Sequence, residues 1–92
     1  MKYLINIISK SHRVSYDMTI GPYTRKHDAI KGLAKVTLPN LKDARIAIIA
    51  AEGDDPVYCE VVTRMTSKTL TTRRLNYRSL KEGGESTYKF DY

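Results

Sequence analysis

The sequence contains no tryptophan, one phenylalanine and one cysteine. The lone thiol, Cys59, rules out an internal disulfide and a thiolate metal cluster. It suits a reducing, cytoplasmic setting. The two histidines, His12 and His27, lack the i, i+4 spacing of a metal-binding helix and have no cysteine near them in sequence. There is no glycine-rich phosphate loop, because Gly83-Gly84 lacks the following helix and the Lys-Ser/Thr pair. No apolar run is long enough to span a membrane or to form the core of a signal peptide. The opening Met1-Lys2-Tyr3-Leu4-Ile5-Asn6-Ile7-Ile8 is broken by Asn6 and followed at once by Ser9-Lys10-Ser11-His12-Arg13, so it reads as a strand. Neither a membrane nor a cofactor is expected.

What is present suits one small folded domain. The chain has 92 residues, enough to bury a core without covalent staples but with little margin. Hydrophobic residues make up 41% and charged residues 28%, a balance that argues against wholesale disorder. The net charge of +6 favours an acidic partner: nucleic acid, an acidic protein surface or anionic lipid.

One stretch organises the rest. Met18 to Lys35 reads as a strand, a sharp turn at Gly21-Pro22 and the single clear helix. Thr24 is the candidate N-cap. Ala29, Ile30, Leu33 and Ala34 fall on one side at helical spacing, with Val36 at the edge, so one face is buried. Arg25 and Lys26 stand in the first turn, where the helix dipole disfavours cations. Either they are solvated or an anion lies there.

Around this unit the pattern is strand. Tyr3 to Ser9 is apolar on both faces, as in a central strand. Val14, Tyr16, Met18 and Ile20 alternate with polar residues and pair with it as a hairpin across Lys10-Ser11-His12-Arg13. Pro39 ends the helix no later than Leu38. Ala44 to Ala51 reads as a strand on its isoleucines, and Glu52-Gly53-Asp54-Asp55-Pro56 as a turn. Val57 to Arg64 reads as a strand with Val57, Cys59 and Val61 on one face and Tyr58, Glu60, Val62 and Arg64 on the other. The expected fold is α+β: a mainly antiparallel sheet in the order β-β-α-β-β, a possible C-terminal hairpin, and one helix on one face. Residues 1–64 form the core of this single domain and residues 65–92 a basic Thr/Arg-rich arm.

The run Ile20-Gly21-Pro22-Tyr23-Thr24, with Asp28-Ala29-Ile30 and Leu33 beyond it, resembles the strand–turn–helix unit of SPOR domains. It is also similar to the strand-to-helix step of AP2-type DNA-binding domains. The resemblance covers under a quarter of the chain. The second SPOR repeat and the AP2 aromatic strand residues are absent, and no residue role is carried over.

No enzyme constellation assembles. Cys59 with a histidine is a nucleophile pair in principle, but its place on an apolar strand face makes it a buried structural residue. Glu52, Asp54 and Asp55 offer oxygens to a hard cation, in a segment whose composition is that of an ordinary turn. The basic arm is the best functional candidate. No acidic residue occurs between Glu60 and Glu82, and Arg64, Lys68, Arg73, Arg74, Arg78 and Lys81 together equal the net charge of the chain. Lys68 to Leu75 is expected as a cation-studded edge strand, Glu82-Gly83-Gly84-Glu85 as a turn, and Ser86 to Tyr92 as a last strand or a tail. Tyr88, Phe90 and Tyr92 alternate there, as core packing or as a stacking platform. The arginines can contact phosphates as forks and the lysines as point charges, with Tyr77 interleaved to stack on a base.

The expected function is therefore that of a small non-enzymatic binding module. Its partner would be nucleic acid ahead of an acidic protein surface, held by Arg64, Lys68, Arg73, Arg74, Tyr77, Arg78 and Lys81. The alternative is a small inhibitor or adaptor, of the kind phages and mobile elements encode, that docks on a protein through an exposed edge. An edge strand also allows a homodimer.

Overall fold

The computed structural model describes residues 1–10, 15–35 and 44–90. The expectations that rest on His12, Val14, Val36, Pro39 and Tyr92 lie outside the described residues. The elements are β1 (Lys2–Lys10), β2 (Ser15–Tyr23), α1 (Lys26–Lys35), β3 (Ala44–Glu52), β4 (Asp55–Met65), β5 (Thr69–Asn76) and β6 (Lys81–Lys89). The six strands form one sheet in the order β2-β1-β3-β4-β5-β6. Every neighbouring pair is antiparallel. The architecture is thus a mainly β domain with one helix.

Alternation along the strands sorts residues onto two faces. Ile5 and Ile7 of β1 pair with Ile20 and Met18 of β2 and with Ile48 and Ile46 of β3. These residues face α1, whose Ala29, Ile30 and Leu33 close over them in a single buried cluster with Leu70. The helical stripe read from spacing is therefore the buried face. Helix formation begins one residue later than the Thr24 cap implies. The carbonyl of Arg25 accepts from the N–H groups of Asp28 and Ala29, and the Arg25 side chain donates to the Asp28 carboxylate at 3.2 Å.

The sharp turn expected at Gly21-Pro22 is not there: both residues belong to β2, which runs on to Tyr23, and Gly21 takes a conformation near the strand's end that needs glycine. Its φ is +127°, and a Cβ there would stand 3.0 Å from the carbonyl oxygen of Tyr3 and 3.2 Å from Leu4 Cδ2. Gly21→Ala is expected to destabilise the domain by about 2 kcal/mol through backbone strain and this contact. Urea unfolding measures the change, and a loss below roughly 0.5 kcal/mol would contradict the strained geometry.

Two expectations about the C-terminal third and one about β4 are corrected. β5 is an interior strand between β4 and β6, and β6 is the edge. Glu82-Gly83-Gly84-Glu85 is part of β6, and the chain turns earlier, between Asn76 and Lys81. Gly83 sits in a strand because the Arg74 side chain lies against it; a Cβ there would meet Arg74 Cβ at 3.0 Å. The burial of β4 also differs from its apolar pattern. Tyr58 and Glu60 face the helix side opposite Ala50 and Ile48, and Val62 packs against the core cluster, whereas Cys59 and Val61 face away from it opposite Ile49 and Ala47. Tyr88 and Phe90 pack against the core cluster.

Candidate functional site

The basic residues divide between the two faces of the sheet and its ends. Arg73 is the register partner of Val61 and stands exposed on the face away from the helix, hereafter the open face. Arg74 projects from the helix face. Its guanidinium carbon lies 3.8 Å from the centroid of the Tyr58 ring, and its Nε donates to Asn76 Oδ1 at 2.8 Å. Alternation along β5 thus separates two arginines that are adjacent in sequence. Arg74 is held by Tyr58 and Asn76 on the helix face.

Arg64 changes sides. The β4–β5 register slips between Val62 and Arg64, so Val62 pairs with Thr72 but Arg64 pairs with Thr71. An inserted residue of this kind rotates the following side chain to the other face. Arg64 therefore joins Arg73 on the open face, and Met65 takes the core side opposite Leu70. The hydroxyl of Thr63 donates to the carbonyl of Thr71 at 3.2 Å beside this irregularity. Arg45 of β3, the partner of Ile8, lies on the same open face. It was not singled out in the sequence because it stands alone in an apolar run.

Arg78 is neutralised within the chain. Its Nη2 lies 2.9 Å from Glu52 Oε2 and 3.1 Å from Asp55 Oδ2. The acidic turn that offered oxygens to a metal thus receives a guanidinium, and no cluster of metal-ligating side chains occurs among the described residues. Lys68 is exposed in the turn between β4 and β5, at the far end of the sheet from Arg78. Lys81 is exposed where β6 begins. Tyr77 lies in the β5–β6 turn. Its contact with the Cys59 thiol, with burial second, pushes its pKa up to about 12. Cys59 itself is buried on the open side.

The open face therefore carries Arg45, Arg64 and Arg73 on three neighbouring strands, within two strand spacings or about 10 Å across the sheet. No ion pair engages any of the three among the described residues. Glu85 is the register partner of Arg73 and is the nearest negative charge in the pattern. Below the arginines runs an aliphatic row in which Leu4, Ile49, Cys59 and Leu75 are successive register partners. Leu75 is 37% exposed, so this row is wet at its β5 end. Threonines 71 and 87 flank the arginines, with their hydroxyls 3.4 Å apart.

The helix face holds an arrangement that sequence reasoning missed. Glu60 of β4 is 1% exposed. Its Oε2 lies 2.8 Å from Lys26 Nζ. Its Oε1 accepts from the Tyr88 hydroxyl at 2.7 Å and from the Thr72 hydroxyl at 3.0 Å. The ammonium also sits over the rings of Tyr58 and Tyr88, 5.4 and 5.8 Å from their centroids. Burial alone pushes the Glu60 carboxyl upward, but the bonds from Lys26, Tyr88 and Thr72 outweigh it and hold the group below the ordinary carboxylate range. Burial likewise opposes the charge on Lys26, and Glu60 more than offsets it, holding the ammonium above the ordinary lysine range. Of the two first-turn cations, Arg25 is exposed and paired with Asp28, and the anion beside Lys26 is the protein's own glutamate. A glutamate on an alternating strand carries no local sign that it faces inward, because its partner lies far away in sequence.

No family model matches the chain. No curated protein and no solved structure matches it either.

Proposed function

We propose that the protein is a non-enzymatic binding module whose open sheet face takes a single strand of nucleic acid. The observation that carries this reading is the set of three exposed guanidiniums, Arg45, Arg64 and Arg73, that no ion pair engages among the described residues. Guanidinium forks match phosphate oxygens, and a broad pleated face accepts an extended strand better than the convex backbone of a duplex. The aliphatic row from Leu4 to Leu75 offers apolar contact to bases or sugars, and Thr63, Thr71 and Thr87 offer hydroxyls beside the arginines. Lys68 and Lys81 extend the positive field at the two ends of the sheet, which steers a polyanion toward it. Tyr77 borders the same row and supplies its ring at one edge.

Titration of the isotope-labelled protein with a short oligothymidylate tests the assignment by NMR. Amide shifts are expected around Arg45, Arg64, Arg73 and Leu75, with the helix unperturbed. Shifts confined to α1, or none at low salt, would overturn it. Arg78→Ala serves as a control. Because Glu52 and Asp55 already satisfy this guanidinium, its removal is expected to leave affinity within about twofold, a difference of under ~0.5 kcal/mol. A tenfold loss on this substitution would show that the internal pairing does not hold in solution.

The aliphatic row, exposed at Leu75, also supports a second reading, in which the same face docks on an acidic protein as an inhibitor or adaptor. Packing of apolar surface responds weakly to ionic strength, whereas phosphate contacts respond steeply. The salt dependence of binding separates the two.

A further inference from the structure

The helix side of the sheet carries a second recess, distinct from the open face. A cleft of about 380 Å³ lies between α1 and the end of β6. Ile30, Ala34 and Phe90 form its apolar walls, and His27, Lys31, Lys35 and Lys89 form its rim. Ile30 and Phe90 are anchored in the core cluster, so these walls are held by the fold. Among the described residues no acidic side chain lines the cleft. No ion pair engages Lys31, Lys35 or Lys89 among the described residues. Like charges on one rim repel one another.

We propose that this cleft binds a small organic anion with a flat apolar body. Its volume falls in the range of small-molecule sites, which combine mostly apolar walls with a few convergent polar groups. The aromatic wall at Phe90 favours a planar body, because offset or edge-on ring contacts contribute beyond area alone. The three ammoniums are point charges on flexible stems. They set the sign of the head group and tolerate a carboxylate, a sulfonate or a phosphate. A neutral aromatic would fill the walls and leave the rim unsatisfied. A bare inorganic anion would meet the rim and leave the apolar walls wet. Only the combination uses both halves of the site.

The probe is 8-anilinonaphthalene-1-sulfonate, an aryl sulfonate, titrated into the full chain and followed by its fluorescence and by amide chemical shifts. One saturable site is expected, with shifts centred on His27, Lys31, Ala34, Lys35 and Phe90. The neutral analogue N-phenyl-1-naphthylamine is expected to bind at least about tenfold more weakly, the value of one lost charge-assisted contact. The double variant Lys31→Glu/Lys35→Glu changes exposed helix positions and is expected to keep its melting temperature within a few degrees while losing at least about tenfold in affinity for the sulfonate. Ala34→Leu fills the cleft without altering its charge and is expected to weaken both probes. Equal affinity for the charged and neutral probes, unchanged binding in both variants, shifts centred on Ile49 and Leu75, or no binding would each overturn the assignment. The open-face reading is untouched by any of these results, since none of the substituted residues lies on that face.

Discussion

Lys26→Met destabilises the domain by about 3 kcal/mol, although the residue is partly exposed and stands in the first turn of a helix. The loss comes from what remains. Glu60 stays 1% exposed and keeps only the hydroxyls of Tyr88 and Thr72, while its countercharge at 2.8 Å is gone. A buried charge stripped of its partner is among the few single changes that cost this much. For a domain of this size the loss lowers the melting temperature by on the order of 15 °C. The double variant Lys26→Met/Glu60→Gln recovers most of it, because the stranded charge is removed as well.

The pH dependence has a defined sign. The Glu60 carboxyl is held below its ordinary range in the folded protein, so its contribution is present above that range and is lost as pH falls through the depressed folded value. The Lys26 ammonium is held above its ordinary range, so its contribution is full below that range and is lost as pH rises through the elevated folded value. In Lys26→Met, burial acts on Glu60 without the ammonium to oppose it, and the gap to the wild type narrows as pH falls through the ordinary carboxylate range. Urea unfolding at several pH values measures this. A loss under about 1 kcal/mol, or a gap that does not change with pH, would contradict the account of the pair.

The second large effect is on binding. Arg64→Ala/Arg73→Ala lowers affinity for a single-stranded oligonucleotide by roughly 30-fold, on the basis of about 1 kcal/mol for each exposed guanidinium–phosphate contact. Both side chains are exposed on the open face, so the fold is expected to tolerate their removal, and thermal unfolding of the variant checks this. Arg74→Ala acts the other way. It disturbs the Tyr58 stacking and lowers stability, with little effect on affinity. Two arginines adjacent in sequence therefore divide into one for binding and one for folding. A parallel loss of affinity from Arg73→Ala and Arg74→Ala alone would remove this distinction.

Much of this fold is legible in local pattern. The 3.6-residue spacing of Ala29, Ile30 and Leu33 identifies the buried helix face. The two-residue alternation through Met18 and Ile20 identifies the inward side of β2. What escapes is non-local. Glu60 faces the core because Lys26, 34 positions earlier in the chain, reaches it across the helix–sheet interface. Hydrophobicity alone assigns the opposite face of β4. Arg64 reaches the open face through a one-residue register slip, which leaves no compositional mark. Gly83-Gly84 has the composition of a turn and stands in a strand beside the Arg74 side chain. The seven positions of the basic arm lie near one another only in sequence. Pleating sends Arg73 and Arg74 to opposite faces, and the acidic β3–β4 turn neutralises Arg78.

The binding claim meets its most direct test in the salt dependence of affinity for a labelled oligothymidylate of about 15 nucleotides, measured by fluorescence anisotropy from about 50 to about 200 mM salt. Three phosphate contacts, one each from Arg45, Arg64 and Arg73, predict a slope of log affinity against log salt near about −2, or a loss of about 20-fold over that range. A slope near zero, or no binding at the lowest salt, would contradict a nucleic-acid face and leave the open surface to a protein partner.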